Sequence, residues 1–386
     1  MNQNKVSDYR DKILRHRLSI LYRVIVVIAI CIICFVVIKL YRDNQVFHTY
    51  EIVHKNQKVG TASSVYRNYQ GNVLTYSKDG MSAYDVDGNQ LWNQTYEMQD
   101  PIVKVNGEYV VACDYQGSMF YVMNHAGPVT SVETNMQILA LDVSKEGVIA
   151  AALMDDEIIY LKMYAQSGEL ISEIKTSMRQ SGYPTSFAVS PDNIKVGISY
   201  LKAEAGKVNS SLAYYNFGGV GQNETDNLVS GYDYDDQIFP LLVYPNETTS
   251  VAVGEHKILI MKGKQKPTLD KEIEHEDEIH AFYYNEENFA VVTQNHDQAG
   301  KYVVTVYDMN GKEQFKHEID FSYKDIIVED NRIIIYNETN VEVIGMNAVE
   351  KYNGDLGGNI QSLIPVGTRN ELLVVFDDGI ELIKLR

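Results

Sequence analysis

The sequence predicts an all-β fold: an eight-bladed β-propeller closed by its own N-terminal strand and preceded by one transmembrane α-helix. Three observations lead there. Val24–Ile38 is apolar without interruption. Beyond Arg42, four short apolar or alternating runs recur about every 43 residues, the length of a four-stranded blade. The last copy of this pattern is one run short, and an unassigned run precedes the first copy.

The apolar segment comes first. From Ile20 to Leu40 it holds 21 residues, with Arg23 and Lys39 near enough to the ends to snorkel. As a helix it spans about 31 Å, enough for a hydrocarbon core. Val24, Ile28, Ile32, Phe35 and Ile38 are the expected anchor residues. The run is too long for a signal-peptide core, and the bulky "KLYRDNQVFH" after it offers no small-x-small cleavage site. Cys31 and Cys34 each follow Ile, where a lipid-attachment site needs a small residue. Six of the eight basic residues in 1–42 precede the helix core, Arg10, Lys12, Arg15 and Arg17 among them. The positive-inside rule therefore keeps the N-terminus cytoplasmic and exports the rest, placing the protein in the cell membrane. The expected segments are a basic cytoplasmic tail (1–18), a transmembrane helix (19–41), a short linker (42–45) and an extracytoplasmic propeller (46–386). Tyr41–Gln45 reach at most about 18 Å, which holds the propeller close to the membrane.

Charge divides the same way. Net charge is −18; eight of 34 basic and two of 52 acidic residues lie in 1–42, leaving 26 and 50 for 43–386. So acidic a body repels phosphate backbones, which excludes nucleic acid as a partner. Its one thiol, Cys113, cannot form an internal disulfide and lies in the apolar run "EYVVACD", the setting of a buried, inert thiol.

The repeat is taken in order. Unit one begins near "ASSVYRNY" and contains "YDVDGNQLW", Tyr84–Trp92. Unit two is "PIVKVN", "EYVVACD", "SMFYVMN" and "PVTSVET". Units three to seven follow with the same four runs. Unit eight is "IQSLIPVG", "ELLVVFDD" and "GIELIKL", and then the runs stop. "VFHTYEIV", Val46–Val53, is the free run before unit one. Placed as the fourth strand of unit eight, beside Ile380–Leu385, it closes a ring and removes an exposed sheet edge. The 344 residues of 43–386 give eight units of 43; seven blades of about 49 residues are the alternative.

"YDVDGNQLW" resembles the strand-turn-strand signature of pyrroloquinoline-quinone-type repeats, with an Asp, a Gly turn and Trp92 four residues after the Gly. "YDMNGKEQF", Tyr307–Phe315, matches with Phe315 in the Trp position. "YAQSGELIS" keeps the Gly but has Ser172 there. On these residues the chain resembles the quinoprotein-like and WD-repeat-like propellers. As a whole it is similar to single-anchor propellers of Firmicutes. Quinone enzymes of this fold repeat the Trp in most blades, whereas this chain has one. No quinone or other cofactor is therefore expected, and Trp92 and Phe315 are assigned to blade packing, the indole N–H satisfied locally.

Three other stretches bear on chemistry. "EIEHEDEIH", Glu272–His280, is the densest cluster of metal-ligating side chains, and His275, Glu276 and His280 are its candidates. It lacks the H-E-x-x-H spacing and a helix, so a charged turn between blades is the preferred reading. "YDYDDQ" lacks the Gly and Glu of a calcium loop. "NFGGVGQNE" lacks the Lys and helix of a phosphate cradle and reads as a hairpin loop. There is no G-x-S-x-G, and no catalytic residue is assigned. Tyr is abundant, 28 against 11 Phe. Strand propensity is the first explanation, and a tyrosine-rich binding surface, including Tyr214-Tyr215 and Tyr283-Tyr284, the second.

The expected function is a non-enzymatic scaffold or sensor at the cell envelope, anchored in the membrane and binding an envelope or membrane protein. A quinone- or metal-dependent propeller enzyme is the alternative.

Overall fold

A computed structural model describes residues 3–386 except 62, 205, 295–300 and 368–369. It divides into two compact units, Met1–Phe47 and His48–Arg386.

The first unit is one helix, Gln3–Asp43. It continues through the basic segment expected to form a separate tail, because no Gly or Pro interrupts the chain there. Asn44 ends it: its backbone N–H and its side-chain amide both donate to the carbonyl of Leu40, at 3.1 and 2.9 Å. Ile20–Asp43 is long and apolar enough to cross a membrane, as an anchor or a signal sequence would. Val24, Ile28, Ile32, Phe35 and Ile38 are all exposed on it.

The second unit is an eight-bladed propeller of eight four-stranded sheets. Seven blades take their strands in chain order from the inside outward: 65–95, 101–133, 137–177, 183–234, 241–274, 279–319 and 325–355. The eighth is composite. Ile360–Pro365, Glu371–Phe376 and Gly379–Leu385 supply three strands, and Tyr50–Gln57 pairs antiparallel with Gly379–Leu385 as the fourth. The register runs from Tyr50 opposite Leu385 to Gln57 opposite Gly379. The closing strand thus lies four residues later than Val46–Val53. Its polar end, His54–Gln57, is extended because the partner strand offers a ladder there, not because its own pattern demands it. The N–H groups of His48 and Thr49 donate to the carbonyl of Arg386 at 2.8 and 3.0 Å, Arg386 donates back to Thr49, and its guanidinium pairs with Glu51.

Middle strands and outer strands differ as their sequences do. Thr249–Val253 and Arg332–Tyr336 are buried at every position, because each blade is covered on both faces by its neighbours. They therefore read as continuous apolar runs rather than alternating ones. The outer strand Thr268–Glu274 is exposed at six of seven positions and carries the charge.

Side chains also stitch each blade to the next. The Tyr69 hydroxyl donates to the carbonyl of Glu108 (2.6 Å) and the Asn106 amide to that of Val143 (3.1 Å). Asp142 accepts from the N–H of Val189 (2.9 Å), and Ser186 from that of Leu242 (2.8 Å). The Asn246 amide donates to the carbonyl of Glu286 (3.0 Å), His317 pairs with Glu342 (2.8 Å), and Lys324 donates to Ile360 (2.8 Å). Asn56, on the closing strand, donates to Val86 in blade one (3.3 Å). These hydrogen bonds and the one ion pair bridge all eight junctions, including the one the closing strand creates.

Trp92 and Phe315 take the expected packing role. Trp92 lies in a core shared by blades one and two, edge-on to Tyr69 at 5.9 Å. Phe315 lies in the core between blades six and seven. The Trp92 N–H, however, is buried without a hydrogen-bond partner, contrary to the expectation of local satisfaction. The Asp of the motif caps the turn. Asp85 accepts from the N–H groups of Asp87 and Asn89 (2.9 and 2.8 Å), and Asp308 from those of Asn310 and Lys312 (2.8 and 2.9 Å). Gly88 and Gly311 supply the positive φ these turns need, +77° and +68°.

One further irregularity repeats. In all eight blades the register between third and fourth strands slips by one residue near the start of the fourth. In blade one the skipped residue is Leu91, just before Trp92; in blade six it is Gln314, just before Phe315. Such bulges twist an outer strand and blunt its free edge.

Candidate functional site

Two clefts on the propeller share a wall and form one trough. The first, about 630 Å³, lies between blades four and five. It is bounded by the hairpins joining second to third strands, at Gly206–Val208 and Gly254–Lys257, and by the connector Asp236–Phe239. Val208 and Ile238 expose apolar surface, and Phe239 is buried beneath. Charged pairs rim it: Lys207 with Asp236 at 2.5 Å, and Lys257 with Glu272 and Glu274 at 3.4 Å each. The second cleft, about 730 Å³, runs along blade six beside Thr293, Thr305, Tyr307 and Lys316. Glu274 and His275 line both.

The sequence cluster Glu272–His280 therefore sits on the dividing wall of the trough. His275 stands edge-on to Tyr307 (6.0 Å), and His280 to Tyr302 (5.8 Å). Those tyrosines stand at opposite ends of one strand, Tyr302–Asp308, about 16 Å apart at strand spacing. The two imidazoles are thus held on separate supports, and Glu276 is exposed. Among the described residues no three His, Cys, Asp or Glu side chains converge to hold a metal ion. Burial holds the His275 imidazole below its ordinary pKa, and its Nε2 has no hydrogen-bond partner. Gln237 Oε1, beside the first cleft, is likewise buried and unpartnered.

A third cavity, about 310 Å³, is the central lumen as lined by the first strands of blades two to six. Lys104 and Tyr284 are exposed to it, and Asp142 forms part of its wall. Burial raises the Asp142 carboxyl pKa, opposed by the Lys104 ammonium and by the N–H groups of Val189 and Val143. The Tyr284 phenol is pushed up to about 12 by the protein atoms crowding the narrow lumen, which desolvate it although 44% of its surface stays accessible, with Asp142 adding to it. At one mouth Lys145 and Glu286, from blades three and six, pair across the opening at 3.0 Å. Apart from Tyr284, these residues were not singled out in the sequence. The signal was a charged residue inside an otherwise apolar first run, Lys104 in "PIVKVN" and Asp142 in "QILALDVS".

The remaining candidates separate cleanly. Cys113 is buried and free, and burial, with Asp114 nearby, pushes its thiol up to about 12. Tyr214 and Tyr215 are core residues rather than a binding surface, because blade four packs both its faces. Tyr284 alone of the paired tyrosines named above is well exposed, and it faces the lumen. Arg10, Lys12, Arg15 and Arg17 lie within the N-terminal helix.

Comparison with known proteins gives fold and family. The pattern of DUF5711, a family of unknown function, matches residues 43–385. No curated protein matches the sequence. Among solved structures, BamB from Moraxella catarrhalis is similar over 88% of this chain and 100% of its own, at 11% identity and TM-score 0.51. The designed protein Ika8 is similar over 88% and 100%, at 12% identity and TM-score 0.54. Sqt1 from Saccharomyces cerevisiae is similar over 89% and 99%, at 11% identity and TM-score 0.51. At such identities the likeness is one of fold.

Proposed function

The chain belongs to the DUF5711 family, and we propose that it is a single-pass membrane protein whose exported propeller binds a protein partner at the cell envelope without catalysing a reaction. The observation that carries this is the trough. It is long and open, mixes apolar floor with paired charges, and spans blades four to six, the shape of a site for a protein segment rather than a small reactant. Its rim pairs are exposed and so contribute orientation more than affinity. The apolar helix and the basic residues before it support a cytoplasmic N-terminus, which leaves the acidic propeller outside. An envelope or membrane protein is the partner such an anchor favours.

The test is site-specific photocrosslinking of the full chain in living cells. A photoreactive residue at Val208 or His256 is expected to give one discrete protein adduct, lost on Lys257→Glu. The same residue at Asn93, on the outer strand of blade one, is expected to give none of it. Equal adducts from all three positions would remove the trough from the account.

A further inference from the structure

The lumen cavity, about 310 Å³, is lined by polar groups left without partners. Lys104, on the first strand of blade two, and Tyr284, on the first strand of blade six, are both exposed to it. Among the described residues, neither the Lys104 ammonium nor the Tyr284 hydroxyl has a hydrogen-bond or ion-pair partner. Asp142, on the first strand of blade three, is close enough for its charge to act on Tyr284 and for Lys104 to act on it. Its carboxylate accepts from the N–H of Val189 at 2.9 Å, which leaves lone pairs for a further donor. Burial raises its pKa, and the Lys104 ammonium opposes this without closing an ion pair.

Charge in the cavity is balanced. Its charged lining residues are Lys104, Lys145, Asp142 and Glu286. Lys145 and Glu286 lie in hairpins joining first to second strands, and they satisfy each other across the lumen at 3.0 Å. That leaves one cation and one carboxylate, apart and lining the same space. A purely anionic ligand would meet Asp142, and a purely cationic one Lys104, each bringing like charges together in a narrow site. A ligand that carries both charges answers both groups. Much of the remaining wall is apolar, with Val105, Pro191 and Leu241 part-exposed on it. The volume is at the small end of ligand sites.

We propose that the lumen binds a free α-amino acid with a small aliphatic side chain, its carboxylate on Lys104 and Tyr284 and its ammonium on Asp142. The ligand's ammonium supplies the close counter-ion that Asp142 lacks, and its carboxylate gives two unpaired donors an acceptor. The apolar part of the wall takes the side chain. This site is separate from the trough. The trough is bounded by hairpins joining second to third strands, whereas Lys145 and Glu286 narrow the lumen at the opposite ends of the strands. The inference goes beyond a protein partner and holds whether or not the trough receives one.

The test is isothermal titration of the full chain in detergent micelles with glycine, L-alanine, L-valine and L-leucine, each to about 10 mM, a range that registers millimolar affinity. Saturable binding of at least one of the four is expected, at one molecule per chain. The matching amide lacks the carboxylate, and the matching acid without its amine lacks the ammonium. Each is expected to bind about tenfold more weakly or worse, the scale of one lost charged hydrogen bond. Lys104→Gln and Tyr284→Phe change exposed side chains that have no partner to lose, so folding does not depend on them. Each is expected to weaken binding by a similar factor. Asp142→Asn keeps an acceptor for Val189 and is expected to remove the preference for the amino acid over the acid without its amine. No saturable binding of any of the four overturns the proposal. Binding that Lys104→Gln and Tyr284→Phe leave unchanged also overturns it, by putting the amino acid elsewhere. Equal affinity of the unmodified chain for the amino acid and the acid without its amine overturns it in favour of a plain carboxylate site.

Discussion

Asp85 and Asp308 show how one residue type organises a turn. Each carboxylate takes two backbone N–H groups that the turn would leave unpaired, beside a glycine at positive φ. Blade three keeps the turn but has Ala165 in the Asp position, with only the backbone bonds from Gly168 to Ala165 and from Ala165 to Glu169. Asp308→Ala is therefore expected to lower stability by about 1–2 kcal/mol, and Ala165→Asp to raise it by about 1, read by denaturant titration of residues 44–386. His317 gives a pH dependence. The hydrogen bond to Glu342 raises its pKa above the ordinary 6.5, against burial. A raised folded-state value means the stabilisation is complete below the unfolded value, near 6.5, and is lost as pH rises through the folded one. Glu342 is itself raised, by burial first, but its titration belongs to the acid range. Melting temperature is expected to fall from pH 6 to pH 9, and less steeply in His317→Gln. An unchanged slope in that variant would assign the dependence elsewhere.

At the level of elements, the strands were legible because their apolar runs are short, regular and bounded by turn residues. Both middle strands of a blade are buried on two faces, so a run such as Arg332–Tyr336 announces itself. The start of the closing strand was less legible. Val46 reads as extended, yet pairing begins at Tyr50, where the end of Gly379–Leu385 sets the register. The bulges were invisible for a related reason: a one-residue slip is a property of two strands together. The separation of His275 and His280 was hidden for the same reason, since nearness in sequence did not survive the turn that sends each ring to its own tyrosine. Trp92 was legible as an anchor but not as an unsatisfied donor. Trp92→Ala is expected to cost about 3–5 kcal/mol, and Trp92→Phe much less, because blade six already packs with Phe315. Deleting residues 44–57 leaves Gly379–Leu385 as a bare edge. The shortened propeller, residues 58–386, is expected to oligomerise or aggregate where residues 44–386 remain soluble and folded, as gel filtration would show.

On the scale of the whole molecule, closure organises everything else. The segment that follows the N-terminal helix is also the last strand of the last blade, so entry into the ring and its completion are one event. Side-chain contacts stitch all eight junctions, and within the eighth blade the closing pair joins strands more than 300 residues apart in the chain. That contact comes at the highest loop-closure cost and should form late in folding. The most direct measurement is amide hydrogen exchange of the full chain. Residues 50–57 are predicted to be as protected as 379–385 and to exchange with them as one unit. Exchange of 50–57 at the rate of a free chain, with 379–385 still protected, would contradict the closed ring.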